Sequence, residues 1–317
     1  MYEDIIDIDK ILPNKENEDS IIPLCFDKLY KKVFANKNNL KPLEELLSII
    51  LPMDKELLRG NISLTTNEPI VENSNSKKRI LDIITEIRLS NGKRSVINIE
   101  VNLNKETVIR NVGYEAKVYS NEIEAGNDYL NYPKVIQICF DYFEVNKYNR
   151  DVEKVFFLKD KTGYILESNL EIRHINIEKA NKLWYSKNIN GTGESEALVL
   201  LSALLTINNI KDFKKCLEVL PMEEETKKYI EESVIDYAKN DKSWLAVDEE
   251  REKIKLHRTG LLLARKEGLE QGLEQGIEQG QKESKLEIAK KMLAKNIPIE
   301  EILEITSLSK EELDNIK

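Results

Sequence analysis

Two runs rich in β-branched residues, 79–89 and 95–103, are separated by Ser90-Asn91-Gly92. This is the clearest strand signal in the chain, and it reads as a β-hairpin. Strands alternate faces, so Asn98, Glu100 and Asn102 share one face, while Ile97, Ile99 and Val101 turn toward a core. The turn decides what meets what across the hairpin. A two-residue turn at Asn91-Gly92 pairs residues whose numbers sum to 183 and sets Asp82 opposite Val101. A three-residue loop, Ser90-Asn91-Gly92, gives a sum of 182 and sets Asp82 opposite Glu100. That loop needs a left-handed residue at its third position, which Gly92 supplies. The second register is therefore predicted. A slip of one residue would turn every side chain to the other face.

Facing each other across two strands, Asp82 and Glu100 would have Cβ atoms about 5 Å apart and would repel in an apolar setting. A hard divalent cation relieves that repulsion. Mg2+ is held by one or two carboxylates together with waters and substrate phosphate, and it lowers the pKa of a bound water. The alternative is a solvated face on a half-exposed hairpin, with both acids merely wet.

The rest of the chain places this hairpin in an α/β domain with a helical extension. Residues 1–22 are acidic and read as a mobile lead-in. From residue 23, Phe26, Leu29, Tyr30, Val33 and Phe34 recur at helical steps. A second helix is expected over 40–51, a polar stretch with a short strand over 62–78, and a long helix over 106–126. Strands are expected over 134–142, 153–158 and 170–177. Helices alone follow, over 194–208, 211–219, 223–239 and 244–267. The expected divisions are 1–22, a domain over 23–177, a helical region over 178–267 and a tail over 268–317.

Charge qualifies the partner class. The chain of 317 residues carries a formal charge of −9, which argues against a generic nucleic-acid coat. By segment the balance is −5 over 1–23, +2 over 24–150 and −6 over 151–317. A polyanion-binding face is thus permitted on the hairpin-bearing segment and disfavoured elsewhere. With 2 His and 3 Cys, none in a CxxC spacing, a His-rich metal site, a zinc site and a Ser-His-Asp triad are all disfavoured. The apolar run 197–207 is too short to span a membrane, and no secretory core is visible, so a cytoplasmic protein with reduced, buried thiols is expected.

Several segments together resemble the PD-(D/E)XK nuclease superfamily, and within it the recombination-promoting nuclease and putative transposase branch. The likeness starts at Phe26-Asp27-Lys28-Leu29-Tyr30-Lys31-Lys32-Val33-Phe34. It continues through Leu81-Asp82-Ile83 and Asn98-Ile99-Glu100-Val101-Asn102, and then through Arg110, Tyr114, Tyr119, Gly126 and Tyr129. The resemblance implies a restriction-endonuclease-like α-β-β-β-α-β core and metal-dependent hydrolysis of DNA phosphodiesters, with Mg2+ or Mn2+ as cofactor and recombination or a mobile element as the setting. It implies Asp82 and Glu100 as metal ligands, the Val101 carbonyl as a third, and Asp27 as an accessory acid. Asn102 stands where the family has Lys or Gln, and it brings no charge to a transition state; Lys105 or Lys117 would have to compensate. Arg110 could grip phosphate, or form a surface ion pair. Lys77, Lys78 and Arg79 read as a solvated loop, Tyr114, Tyr119 and Tyr129 as core, and Asp27 alternatively as an i,i+4 partner of Lys31. The competing functions are a catalytically degenerate relative that binds DNA or a partner, and an oligomeric assembly protein.

Gly268, Gly272, Gly276 and Gly280 recur every four residues within Gly-Leu/Ile-Glu-Gln repeats, a feature typical of the same branch. On a helix they form one stripe drifting about 40° per repeat, and each glycine costs about 1 kcal/mol relative to alanine. Either another helix approaches closely, as in a homo-oligomer, or the segment is a flexible spacer. Residues 284–317 read as a helix followed by two short ones, the last capped by Ser309. Residues 299–317 resemble a helix-turn-helix tail, with no arginine and few positive groups on the last helix, and so read as a packing module rather than a base reader.

Overall fold

A computed structural model describes residues 13, 15, 17–65, 83–102, 107–122, 132–145, 151–166, 169–189 and 195–315. The expectations on Lys77, Lys78, Arg79, Asp82, Lys105, Gly126 and Tyr129 lie outside the described residues. The chain divides into two compact units, residues 1–251 and 252–317.

The hairpin adopts the expected register. Strands β2 (Ile83–Arg88) and β3 (Arg94–Asn102) pair antiparallel from Ile83–Ile99 to Arg88–Arg94, every pair summing to 182. Gly92 takes φ = 81°, the left-handed conformation the loop requires. The Leu89 N–H donates to the Lys93 carbonyl at 2.9 Å, and the Asn91 side chain accepts from the Lys93 N–H at 3.0 Å.

Around the hairpin, the sheet runs β1-β2-β3-β4-β6-β5. Strand β1 (Ile62–Leu64) pairs antiparallel with β2. Strands β4 (Lys134–Asp141) and β6 (Leu170–Asn176) continue parallel to β3, and β5 (Glu153–Phe156) lies antiparallel at the edge. Helices α1 (Asp27–Phe34), α2 (Lys41–Ile50) and the short α3 (Lys55–Leu58) precede β1. Leu29, Tyr30, Val33 and Phe34 of α1 are buried, as their spacing predicts. The Tyr30 ring meets Phe140 of β4 edge-on, with centroids 6.4 Å apart. Packing begins before residue 23: Ile21 and Ile22 are buried, and Ser20 bridges Asn209, so the lead-in is fixed at its end.

Helix α4 (Thr107–Asn121) covers the other face, where Tyr114 and Val118 pack on Val96 and Val135. Tyr114 and the half-buried Tyr119 are core, as expected. This helix also removes the solvated-face alternative: Asn98, Glu100 and Asn102 are only 1%, 2% and 1% exposed. Buried polar groups of this kind are tolerated only with hydrogen-bond partners. After β6 come α5 (Ile177–Ser186), α6 (Glu196–Leu204), α7 (Ile210–Val219) and α8 (Glu224–Lys239). The apolar α6 is buried from Leu198 to Leu204. Glu45 of α2 is buried and accepts from the Glu223 N–H and the Thr226 hydroxyl, each at 2.9 Å, tying α2 to the start of α8.

A single helix, α9 (Asp241–Ala294), replaces the expected helix over 244–267 and its separate successor. It runs unbroken through the glycine repeat. Leu, Glu and Gln between the glycines are strong helix formers and offset them. Around Gly268, Gly272, Gly276 and Gly280, a Cβ would meet nothing within 4 Å among the described residues. In the second unit Ala289 of α9 packs on Ile302, Leu308 and Leu313. Ile302 belongs to α10 (Ile299–Thr306), Leu308 to the segment that follows it, and Leu313 to α11 (Lys310–Asp314). Ser309 caps α11 as predicted, in a full capping box with Glu312.

Candidate active site

The parallel pairing of β3 with β4 aligns Asn98 with Gln137, Glu100 with Cys139 and Asn102 with Asp141. Pairing of β4 with β6 then adds His174 beside Cys139. The result is a polar stripe crossing three strands under α4. Glu100 lies near its middle. One carboxylate oxygen, Oε2, accepts from Arg110 Nη2 at 3.2 Å, and the other, Oε1, is 3.4 Å from Asn98 Nδ2. Asn98 Nδ2 also donates to Gln137 Oε1 at 2.6 Å, while the buried Asn98 Oδ1 has no hydrogen-bond partner among the described residues.

Asn102 is held on both sides. Its Nδ2 donates to Asp141 Oδ1 at 2.9 Å, and its Oδ1 accepts from Arg110 Nη2 at 3.3 Å. Asp141 Oδ2 lies 2.6 Å from His174 Nδ1, and both side chains are buried. Burial pushes the Asp141 carboxyl above its ordinary value, opposed by the His174 hydrogen bond and charge. Burial also raises the Cys139 thiol well above its ordinary value, assisted by Asp141 and Glu100. Cys139 is thus a protonated packing group rather than a nucleophile. It accepts from Asn111 Nδ2 of α4 at 3.1 Å.

Arg110 is placed by the first turns of α4. Its side chain remains 47% exposed while it bridges Glu100 and Asn102, and its guanidinium sits 5.3 Å from the Tyr114 ring centroid. The burial of its two partners makes this pairing different from a surface ion pair. Lys117 follows about two turns further along α4 and is half-buried. Asp27 takes the other course: exposed at the start of α1, it pairs with Lys31 at 2.8 Å. Of the sequence-predicted site residues, Glu100, Asn102 and Arg110 are therefore brought together, with Val101 between the first two on β3.

Sequence reasoning missed Gln137, Asp141, His174 and Asn111. A signal for two of them existed. Gln137, Cys139 and Asp141 alternate with Ile136, Ile138 and Phe140, so one face of that strand is polar. What the sequence lacked was the parallel register that lays this face beside Asn98, Glu100 and Asn102.

Among the described residues, no cluster of three or more His, Cys, Asp or Glu is arranged to hold a metal. The buried Glu100 carboxylate, and Asn98 Oδ1 with no hydrogen-bond partner among the described residues, are hard oxygen donors that fit a hard divalent cation better than a soft metal.

A family model described as PD-(D/E)XK nuclease family transposase matches residues 24–262. The chain belongs to this family. A second model, the C-terminal HTH domain of the Rpn/YhgA-like nuclease family, matches residues 282–317. No curated protein and no solved structure gave a match. The mixed sheet with its helical C-terminal region accords with the nuclease-like fold of the family, and no helix among the described residues is long and apolar enough to cross a membrane.

Proposed function

We propose that this family member is a divalent-metal-dependent DNA endonuclease that hydrolyses phosphodiester bonds at the Glu100 end of the hairpin. The observation that supports the reading is the register of β2 on β3, with Ile83 opposite Ile99 and every described pair summing to 182, which is the register for which the sequence predicts Asp82 opposite the buried Glu100. In this reading Asp82, Glu100 and the Val101 carbonyl hold the ion. Bound there, it supplies Lewis acidity and a water of lowered pKa.

The chain's own residues do the rest. Glu100, which accepts from Arg110 at 3.2 Å, would share its carboxylate between that guanidinium and the ion. Arg110, half-exposed at the mouth, offers its remaining donors to phosphate oxygens, a geometry that suits a guanidinium fork. Lys105 and Lys117 add positive charge along the DNA path. Burial under α4 excludes water from all but the open side. A cytoplasmic setting and recombination of a mobile element complete the proposal.

Nicking of supercoiled plasmid in Mg2+ and in Mn2+ tests it. Asp82→Ala and Glu100→Ala are each expected to reduce the rate by roughly 100-fold or more, the scale of a lost metal or charge-stabilising group. If both variants cut as well as the wild type, the site is wrong.

One observation favours a second reading, a non-cutting relative that binds DNA. Asn102 brings no charge and turns its amide nitrogen to Asp141. In that case plasmid stays intact in both metals while gel shifts persist. Self-association through the Gly268–Gly280 helix is a separate proposal, tested by light scattering on the full chain and on a Gly272→Lys, Gly276→Lys variant.

A further inference from the structure

Asn102 raises a problem for the nuclease reading, because the resemblance sets Lys or Gln at its position and the shorter Asn brings no charge. The hydrogen bonds around it define its orientation. With Nδ2 on Asp141 and Oδ1 on Arg110, each amide atom has a complementary partner. Turned over, the amide would set its oxygen against the Asp141 carboxylate and its nitrogen against the Arg110 guanidinium, two like-against-like contacts in a buried site. Asp141 thus dictates which end of Asn102 faces the site. Asp141 is itself fixed by His174, which spends Nδ1 on Oδ2 at 2.6 Å, and the His174 ring is held by Phe156 edge-on, with centroids 5.6 Å apart. A chain of contacts therefore runs from the edge strand β5 through β6, β4 and β3 to the guanidinium on α4.

We propose that Asp141 and His174 are positioning residues that hold the Asn102 amide oxygen toward the site, so that Arg110 supplies the positive charge that residue 102 lacks. This rests on the nuclease reading above and assigns its missing cation. Arg110 Nη2 is gripped by two buried acceptors, Glu100 and Asn102. Once a cation draws on Glu100, the Asn102 oxygen is the acceptor that still fixes the guanidinium. Releasing Asn102 would then let Arg110 swing on its exposed side and lose its aim at phosphate. The effect would fall on turnover more than on DNA affinity, because the charge is still present but no longer placed.

The test uses the full chain with His174→Leu and His174→Asn. Leu removes the donor to Asp141, and Asn keeps an N–H near the place of Nδ1. His174→Leu should lower kcat by roughly 10- to 100-fold, the usual effect of removing a supporting contact, with KM within about twofold. His174→Asn should recover most of that loss. Separately, the Asn102 side-chain amide pair in a 15N–1H spectrum, assigned by its absence in Asn102→Asp, should shift in His174→Leu and return in His174→Asn. Thermal melting confirms that both variants fold. The proposal is overturned if the amide signal is unmoved in His174→Leu, or if the loss falls on KM and the Asn variant does not rescue it. A wild type that never nicks DNA sinks the nuclease reading, while the amide spectrum still decides whether His174 and Asp141 orient Asn102.

Discussion

The two ends of the sheet handle charge in opposite ways. At the end bearing the hairpin turn, acids and bases close on each other. Arg94 contacts Glu86 and Glu122, while Glu171 takes both Lys134 and Arg173, and Arg173 reaches Glu153 at 2.8 Å. Burial pushes the Glu171 carboxyl up, but Lys134 and Arg173 outweigh it and hold it below its ordinary value. At the other end, the buried Glu100 and Asp141 share a stripe of amides, with the half-exposed Arg110 on Glu100 and the charge of Lys154 acting on Asp141. Closed networks of this sort serve the fold, whereas an acid left with an exposed, exchangeable partner can serve a ligand. A space of about 690 Å³ lined by Leu51, Met53, Arg94, Tyr132, Lys134 and Glu171 lies at the closed end.

The largest effect expected from this contrast is a division of labour between two acids. Glu100→Ala should cut nicking by roughly 100-fold or more yet cost less stability than Glu171→Ala, because Arg110 is half-exposed and keeps the Asn102 oxygen as a partner. Glu171→Ala should do the reverse. It removes the carboxylate shared by Lys134 and the nearly buried Arg173, leaving Arg173 with Glu153 alone among its acids, and should cost about 2 kcal/mol in a denaturant titration, with plasmid nicking retained in the folded fraction. Equal losses of activity in the two variants would erase the distinction.

A smaller effect sharpens the boundary between the ends. Glu115 of α4 is buried and accepts from the Glu171 N–H at 3.0 Å. Burial raises its carboxyl to about 7, against an ordinary 4.5. The folded state therefore binds this proton more tightly than the unfolded state. The stabilisation is complete below the unfolded value and is lost as pH rises through about 7. Glu115→Gln stays neutral and keeps an oxygen for the Glu171 N–H. Denaturation should show it equal to wild type near pH 4.5 and more stable by on the order of 2 kcal/mol near pH 8. A variant that loses stability at both pH values would show that the carboxyl is ionised and paired.

The smallest effect lies away from the sheet. Gly272→Ala on the exposed stretch of α9 should add at most about 1 kcal/mol of helix stability, read as a small rise in melting temperature. A fall, accompanied by a drop in mass by light scattering, would instead reveal a helix partner that needs the bare backbone.

Legibility in the sequence followed the range of the contacts. The hairpin register depended on Ser90-Asn91-Gly92 alone, a local choice, and it was readable to the residue. So were the buried face of α1 and the Ser309 cap. The same locality placed Glu100 and Asn102 on one face. What lay beyond reach was non-local. The pairing of residues 39 apart that brings Asp141 to Asn102 is set by how α4 packs over the sheet. The His174 contact depends on a further strand. Arg110 was legible as a functional side chain but not in its role, because its partners are buried only once α4 is in place. Asp27 shows the converse: its i,i+4 pair with Lys31 was readable locally, and that is the partner it has.

The account turns on whether the Glu100 end of the hairpin holds a cation with Asp82. Calorimetric titration of Mn2+ into the full chain measures this without reference to cutting. One site is expected in the wild type, lost or weakened by roughly 10-fold or more in both Asp82→Ala and Glu100→Ala, and retained in Glu171→Ala. Wild-type binding that survives both substitutions would contradict the account.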